Sequence, residues 1–159
     1  MCNEPAEMSL RPDNFLALEP LITAHLRSAL SPGVYVLSAA DLVGLVEATQ
    51  PTPAVHVLYR GYRVRESDVP AFVSIEQTWL TVVAVRNLAN LAVGSDARQS
   101  AGVLAAQVID AMYQHRFADL SGARPMHITQ APEAGYRDGH FYLPLGWSCP
   151  ITFKPAPCA

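Results

Sequence analysis

An unbroken alternation near the end of the chain constrains its fold most. Phe141, Leu143, Leu145, Trp147, Cys149, Ile151 and Phe153 occupy every second position, and successive side chains of a strand point to opposite faces. One long strand with a wholly apolar face is predicted, and that face must be buried. Pro144 and Pro150 fall on the opposite register. Neither can donate to a ladder, so this strand is expected at a sheet edge or with bulges.

A second long strand is predicted over Val73–Arg86. From Val73 to Thr78, Val73 and Ile75 alternate with Ser74, Glu76 and Thr78, as where one face meets solvent or a partner. From Trp79 onward both faces turn apolar, Trp79, Val83 and Val85 on one and Leu80, Val82 and Ala84 on the other. That suits a central strand covered on both sides. Its fourteen residues would span roughly 46 Å at about 3.3 Å each, well past a usual strand, so its first half is expected to project from the domain. After Asn87 to Gly94, Ser95 is a candidate cap for a helix whose stripe, Ala97, Ala101, Leu104, Val108 and Ala111, is small enough for close packing on a sheet. Arg116 suits the far end of the helix dipole, and Phe117–Gly122 forms the exit.

The remaining elements follow from punctuation. Residues 1–13 read as a flexible tail. Asp13 or Asn14 is placed to cap a helix with the stripe Phe15, Leu18, Ile22, Leu26 and Ala29. Pro20 costs about 3 kcal/mol inside a helix, so the helix either starts near Leu18 or kinks there. Ser31-Pro32-Gly33 ends it. Val34–Leu37 is a short β-rich run, and Ser38 with Asp41 resembles a capping box for a short helix through Leu42, Leu45 and Val46. Ala54–Tyr59 has strand composition. RGYRVRESDVP, with Gly61 and Pro70, reads as the connection between two antiparallel strands. Met126–Thr129 is a short strand, and Asp138-Gly139 signals a hairpin turn.

The order α-β-(α)-β-β-α-β-β predicts an α+β domain over residues 14–153, with a mostly antiparallel mixed sheet of four to five strands and two main helices packed on it. Residues 154–159 are expected to be a second flexible tail. A chain of 159 residues fits one domain with a substantial core. Only 16% of it is charged, against roughly 25% in an average soluble domain, which points to surface covered in an assembly. The net charge is −3 and ten of the eleven basic residues are Arg. That is not the basic excess of a general nucleic-acid binder. Cys2, Cys149 and Cys158 show no metal spacing, as expected of a reduced, cytosolic chain. The first residues lack a signal-peptide core, and no apolar run reaches the about 18 residues of a membrane span. A soluble intracellular protein is expected.

Chemistry finds little support. His25, His56, His115, His127 and His140 form no HxxxH or HxH pair, though His56 and His127, both in strands, would form a two-histidine site if they met across the sheet. No GxSxG, GxxxxGK[ST] or GxGxxG occurs. Glu66, Asp68, Glu76, Asp96 and Asp110 fall mostly in a polar loop or on a wet helix face. No cofactor, metal or catalytic residue is expected. The best recognition candidate is the cluster Tyr59, Arg60, Tyr62, Arg63 and Arg65, extended by Val73 and Ile75, since Arg and Tyr favour protein interfaces. The same residues suit nucleic acid, with Arg on phosphates and Tyr stacked on bases, but Glu66 and Asp68 beside them weaken that reading. An ordinary exposed hairpin is the plain alternative.

FLALEPLITAHL, the segment PTPAVHVLY, the strand QTWLTVVAVRN, a helix after a small-residue cap and the closing alternation occur in this order. Over about residues 14–153 the pattern resembles the small tail terminator (tail completion) proteins of long-tailed bacteriophages and Mu-like prophages. The resemblance implies a structural virion protein without enzymatic activity. It implies a homo-oligomer, usually a hexameric ring, that caps the tail tube, ends elongation and presents the head-docking surface. The implied partners are the tail tube protein and head–tail connector or neck proteins, with genome DNA passing through and no membrane. The implied location is the head-proximal end of the tail, reached from the host cytoplasm. No site residues transfer from the family. Rival readings are a head-side connector of the same joint, or a small enzymatic or ligand-binding α+β domain using the open face of the sheet.

Overall fold

The alternating run does form one long strand, but inside the sheet. The computed structural model describes residues 14–46, 49–66, 71–86 and 95–155. The strands are β1 (Tyr35–Ser38), β2 (Ala54–Arg65), β3 (Val73–Arg86), β4 (His127–Thr129), β5 (Gly135–Arg137) and β6 (His140–Phe153), and the helices are α1 (Leu18–Ala29), α2 (Ala39–Leu42) and α3 (Ser95–Met112). The order is β1-β2-β3-β6-β4, with β5 also on β6, and only β1 and β2 run parallel. The fold is therefore α+β as expected, with six strands rather than four to five. The expected tails, the 87–94 bridge and the Ser95 cap fall wholly or largely outside the described residues and side chains.

The prolines of β6 explain why it tolerates an interior place. Pro150 accepts a hydrogen bond from the Arg124 N–H at 2.9 Å on the side away from β3. A strand residue sends its N–H and C=O to the same side, so the donors missing at Pro150 and at Pro144, in the same register, face away from the long β3 ladder. On that outer side β5 pairs His140–Tyr142 and β4 pairs Gly146–Ser148. Pro144 sits in the gap between them. The edge expectation is corrected accordingly: among the described residues β6 lacks an outer neighbour only around Pro144, since Ala123 bridges Ile151 beside Pro150.

Helices α1 and α3 cover one face. Leu18, Ile22 and Leu26 of α1, Ala101, Val108 and Met112 of α3, and Val55, Trp79, Val83 and Trp147 of the sheet are all fully buried there. Starting at Leu18 puts Pro20 in the first turn, where its missing N–H has no partner to lose. Asn14 does not cap this helix: its Oδ1 accepts from the Leu16 N–H at 2.9 Å in a preceding turn, and Ala17 is the N-cap. The Ser38–Asp41 capping box is present, but α2 ends after Leu42 and leaves Leu45 and Val46 exposed. Gly44, at φ +80°, turns the chain out of the helical region.

Two further expectations change. β2 does not stop at Tyr59; it continues through Arg65 across a register shift between Tyr59 and Gly61. The bulge puts successive side chains out of phase, which hides the alternation from a period-two reading, and Gly61 adopts φ +120° there. The first half of β3 does not project alone, because Ser74–Thr78 pair with β2 on one side and β6 on the other. The three strands run on together, and this end of the sheet, called the arm below, is tied to the core through Ile75, Cys149 and Ile151.

The other face of the sheet carries a strap. A Cβ on Gly146 would lie 2.6 Å from the Gln130 carbonyl oxygen, so the chain leaving β4 crosses directly over this residue. It continues so that Gln130, Ala131 and Pro132 line a cleft of about 390 Å³ with Thr78, Leu80 and Arg60–Arg63. Only a residue without a side chain fits beneath it.

Candidate contact surface

The arm holds every residue of the sequence-derived cluster, and the bulge decides which way each one faces. Before it, Val55, Val57 and Tyr59 face the helices with their partners Val83, Thr81 and Trp79; after it, Tyr62 and Val64 do so, opposite Gln77 and Ile75. Arg63 and Arg65 are thereby turned to the strap side, beside Glu76. Arg63 Nη2 donates to Glu76 Oε1 at 3.0 Å and Oε2 at 3.1 Å, and Arg65 Nε lies 3.9 Å from Oε2. Both arginines are at least half exposed, so each pair is worth no more than about 1 kcal/mol. Their effect is to hold two cations in a fixed row.

On the helix side the cluster is aromatic. Tyr59 is half-buried 5.1 Å from the Trp79 ring centroid, and burial, then the neighbouring Tyr62, holds its phenol above the usual range. Phe15 meets Tyr62 edge-on at 5.4 Å and stacks on Phe153 at 5.7 Å. Beneath it, fully buried Gln77 donates to the Phe15 carbonyl at 2.7 Å and accepts from Trp79 Nε1 at 3.2 Å. This polar pair pins the entering chain onto the arm. Val73 and Arg60 are exposed, whereas Ile75 is 3% exposed. Ile75 is spent on the core and leaves the candidate surface.

Phe15, Val64 and Glu76 belong to this surface and were missed. Phe15 looks in sequence like a core position of α1, but it precedes the helix and is 42% exposed. Val64 is hidden in the RGYRVRE run, and Glu76, an acid that meets the arginines, comes from across the ladder.

Among the described residues no group of three or more His, Cys, Asp or Glu is placed to hold a metal ion. His56 and His127 do not meet: β3 and β6 lie between their strands. His56 instead neighbours His140, and the Tyr142 ring centroid lies 6.4 Å from one and 6.1 Å from the other. Both imidazoles are more than nine-tenths buried, and both Nε2 atoms lack a hydrogen-bond partner. The Gln50 side-chain amide donates to the Tyr142 hydroxyl and closes the cluster. A second pair, His25 and His115, stacks at 3.7 Å between α1 and the end of α3.

Burial, then the nearby His140, depresses the His56 pKa below its ordinary 6.5. Burial, then His25, does the same to His115. The unfolded chain then takes up protons at a higher pH than the folded one, so this contribution to stability is complete above about pH 6.5 and is lost as the pH falls below it. Urea midpoints at about pH 7.5 and about pH 5.5 test this. The midpoint should drop at the lower pH, with a smaller drop for His56→Gln. An unchanged or higher midpoint would contradict it.

The described surface thus combines a row of arginines held by Glu76 with exposed apolar side chains on the same strands. In comparison with known families, the phage tail terminator protein model matches residues 12–155. The chain belongs to that family and is a structural component of a phage tail. No curated protein matches it significantly. None of its described helices is long and apolar enough to cross a membrane.

Proposed function

We propose that this protein closes the tail tube as a ring of identical subunits, ends elongation and offers the completed end to the head. The family match over nearly the whole chain carries this reading. The low charge fraction and the arm with its row of arginines and exposed apolar side chains support it. A ring subunit must present two different patches to its neighbours, and further surface to the tube below and the neck proteins above. Genome DNA passes through the ring without sequence-specific contact. Tyr59, Arg60, Tyr62, Arg63, Arg65 and Val73, with Phe15 and Val64 added, form the proposed contact surface.

Deletion of the gene in the parent phage tests the proposal. Overlong or headless tails in electron micrographs are the expected result, restored to normal by the gene in trans. Tails of normal length joined to heads would refute it.

A further inference from the structure

The ladder leaves one long stretch of backbone without a neighbour. β1 pairs only with Ala54–Val57, so among the described residues the outer side of β2 from Leu58 to Arg65 has no strand beside it. Isolated edges of this length are normally shortened, covered or interrupted, because their free N–H and C=O groups template pairing with another chain. Here the bulge at Tyr59/Gly61 interrupts only the start of the edge, and beyond it the strand displays Tyr62 and Val64, 57% and 72% exposed, on the helix side of the sheet.

The opposite border of the sheet also displays apolar side chains. It is formed by β4 and β5, and its exposed apolar side chains are Ile128 and Tyr136. Their register partners, Trp147 and Phe141, belong to the helix-side core, so Ile128 and Tyr136 also stand on the helix side. If one sheet continued into the next, the two apolar pairs would lie on the same face. Charge separates this arrangement from its rival. The β2 stretch carries Arg60, Arg63 and Arg65 against the single acid Glu76, whereas at β5 Arg137 is paired with Asp138 and Glu133 adds a further acid. Two-fold pairing of β2 with β2 would bring two arginine-rich stretches together, and like charges facing each other across strands are destabilising.

We infer that the outer edge of β2 pairs with the β4–β5 border of a second copy of this chain, so that the sheet runs on from subunit to subunit. This rests on the terminator reading and supplies its subunit contact. An interface that joins one edge to a different edge is head-to-tail, the kind that closes into rings. The strap and its cleft lie next to the joint, where Arg60 and Arg63 can receive an acidic side chain of the neighbour.

Cross-linking of the full chain with a short bismaleimide tests the pairing. In a Cys2→Ser/Cys158→Ser background the remaining thiol, Cys149, is buried and its pKa is pushed up to about 12, so it stays silent. Val64→Cys protein mixed with Tyr136→Cys protein should give a covalent dimer that neither gives alone, and both changes on one chain should give a ladder of oligomers. Both positions are exposed, and unchanged thermal melts confirm that the variants fold. A dimer from Val64→Cys alone would overturn the inference in favour of two-fold pairing. Oligomers by sedimentation without the mixed product would place the contact elsewhere and overturn it, leaving the terminator reading intact. A chain that stays monomeric at every concentration would also overturn it. Tail length in the deleted phage tests the terminator reading separately.

Discussion

Trp147→Ala lowers the free energy of unfolding by about 3–5 kcal/mol, the range for removing a large aromatic from a packed core. Trp147 is fully buried opposite Trp79, so the two indoles occupy the centre of the β3–β6 ladder beneath α1 and α3. Its Nε1 donates to Thr81 Oγ1 at 2.9 Å, and Thr81 is itself fully buried. Truncation therefore leaves both a cavity and a hydroxyl stripped of its donor. Trp147→Phe separates the two effects, since it keeps most of the ring and loses the hydrogen bond, a change worth about 1–3 kcal/mol. Equilibrium urea unfolding measures both. A loss below about 1 kcal/mol for Trp147→Ala would mean that the two-tryptophan core is not packed as described.

Gly122→Ala is the second large effect, expected at about 2–6 kcal/mol from the two costs that follow. Gly122 lies on the return from α3 toward β4 at φ +81°, a region that costs other residues about 1–3 kcal/mol. An added Cβ would also strike the backbone carbonyl oxygen of Thr152. That carbonyl cannot swing aside, because the Thr152 N–H donates to the Gly122 carbonyl at 3.1 Å and fixes the two chains together. Relieving the contact costs about another 1–3 kcal/mol. Gly139→Ala is the control, with φ +76° and open space around its Cβ. The difference between the two variants isolates the collision, and equal losses would show that only backbone conformation matters at Gly122.

The elements that were legible in sequence share one property: their signal is local. The alternation from Phe141 to Phe153, the Ser38–Asp41 capping box and the Asp138-Gly139 turn, with φ +48° and +76°, all depend on residues a few positions apart. What misled was also local. A single bulge at Tyr59/Gly61 broke the alternation and made half of β2 look like a loop. Two prolines made β6 look like an edge, although their missing donors point where no ladder needs them.

The candidate surface divides the same way. Residue type alone marked the Arg/Tyr cluster as a recognition feature, and it lies on one exposed arm. It could not reveal that Ile75 is buried, that Glu76 holds Arg63 and Arg65, or that Phe15 closes over Tyr62 and Phe153. Those facts depend on register between strands distant in the chain, and a shift of one residue reverses the face of every side chain.

By itself, then, the sequence determined most of the helix and strand segments, that the domain is α+β, and that it holds two long strands, Val73–Arg86 and the alternating run. Apolar periodicity suffices for that, because burial demands it of each segment separately. Only the tertiary structure decided which strands neighbour one another, which face Arg63 and Arg65 take, and that β2 and the β4–β5 border form opposite, unlike sides of the described sheet. Those features come from pairings between distant segments, and no local pattern encodes a pairing partner.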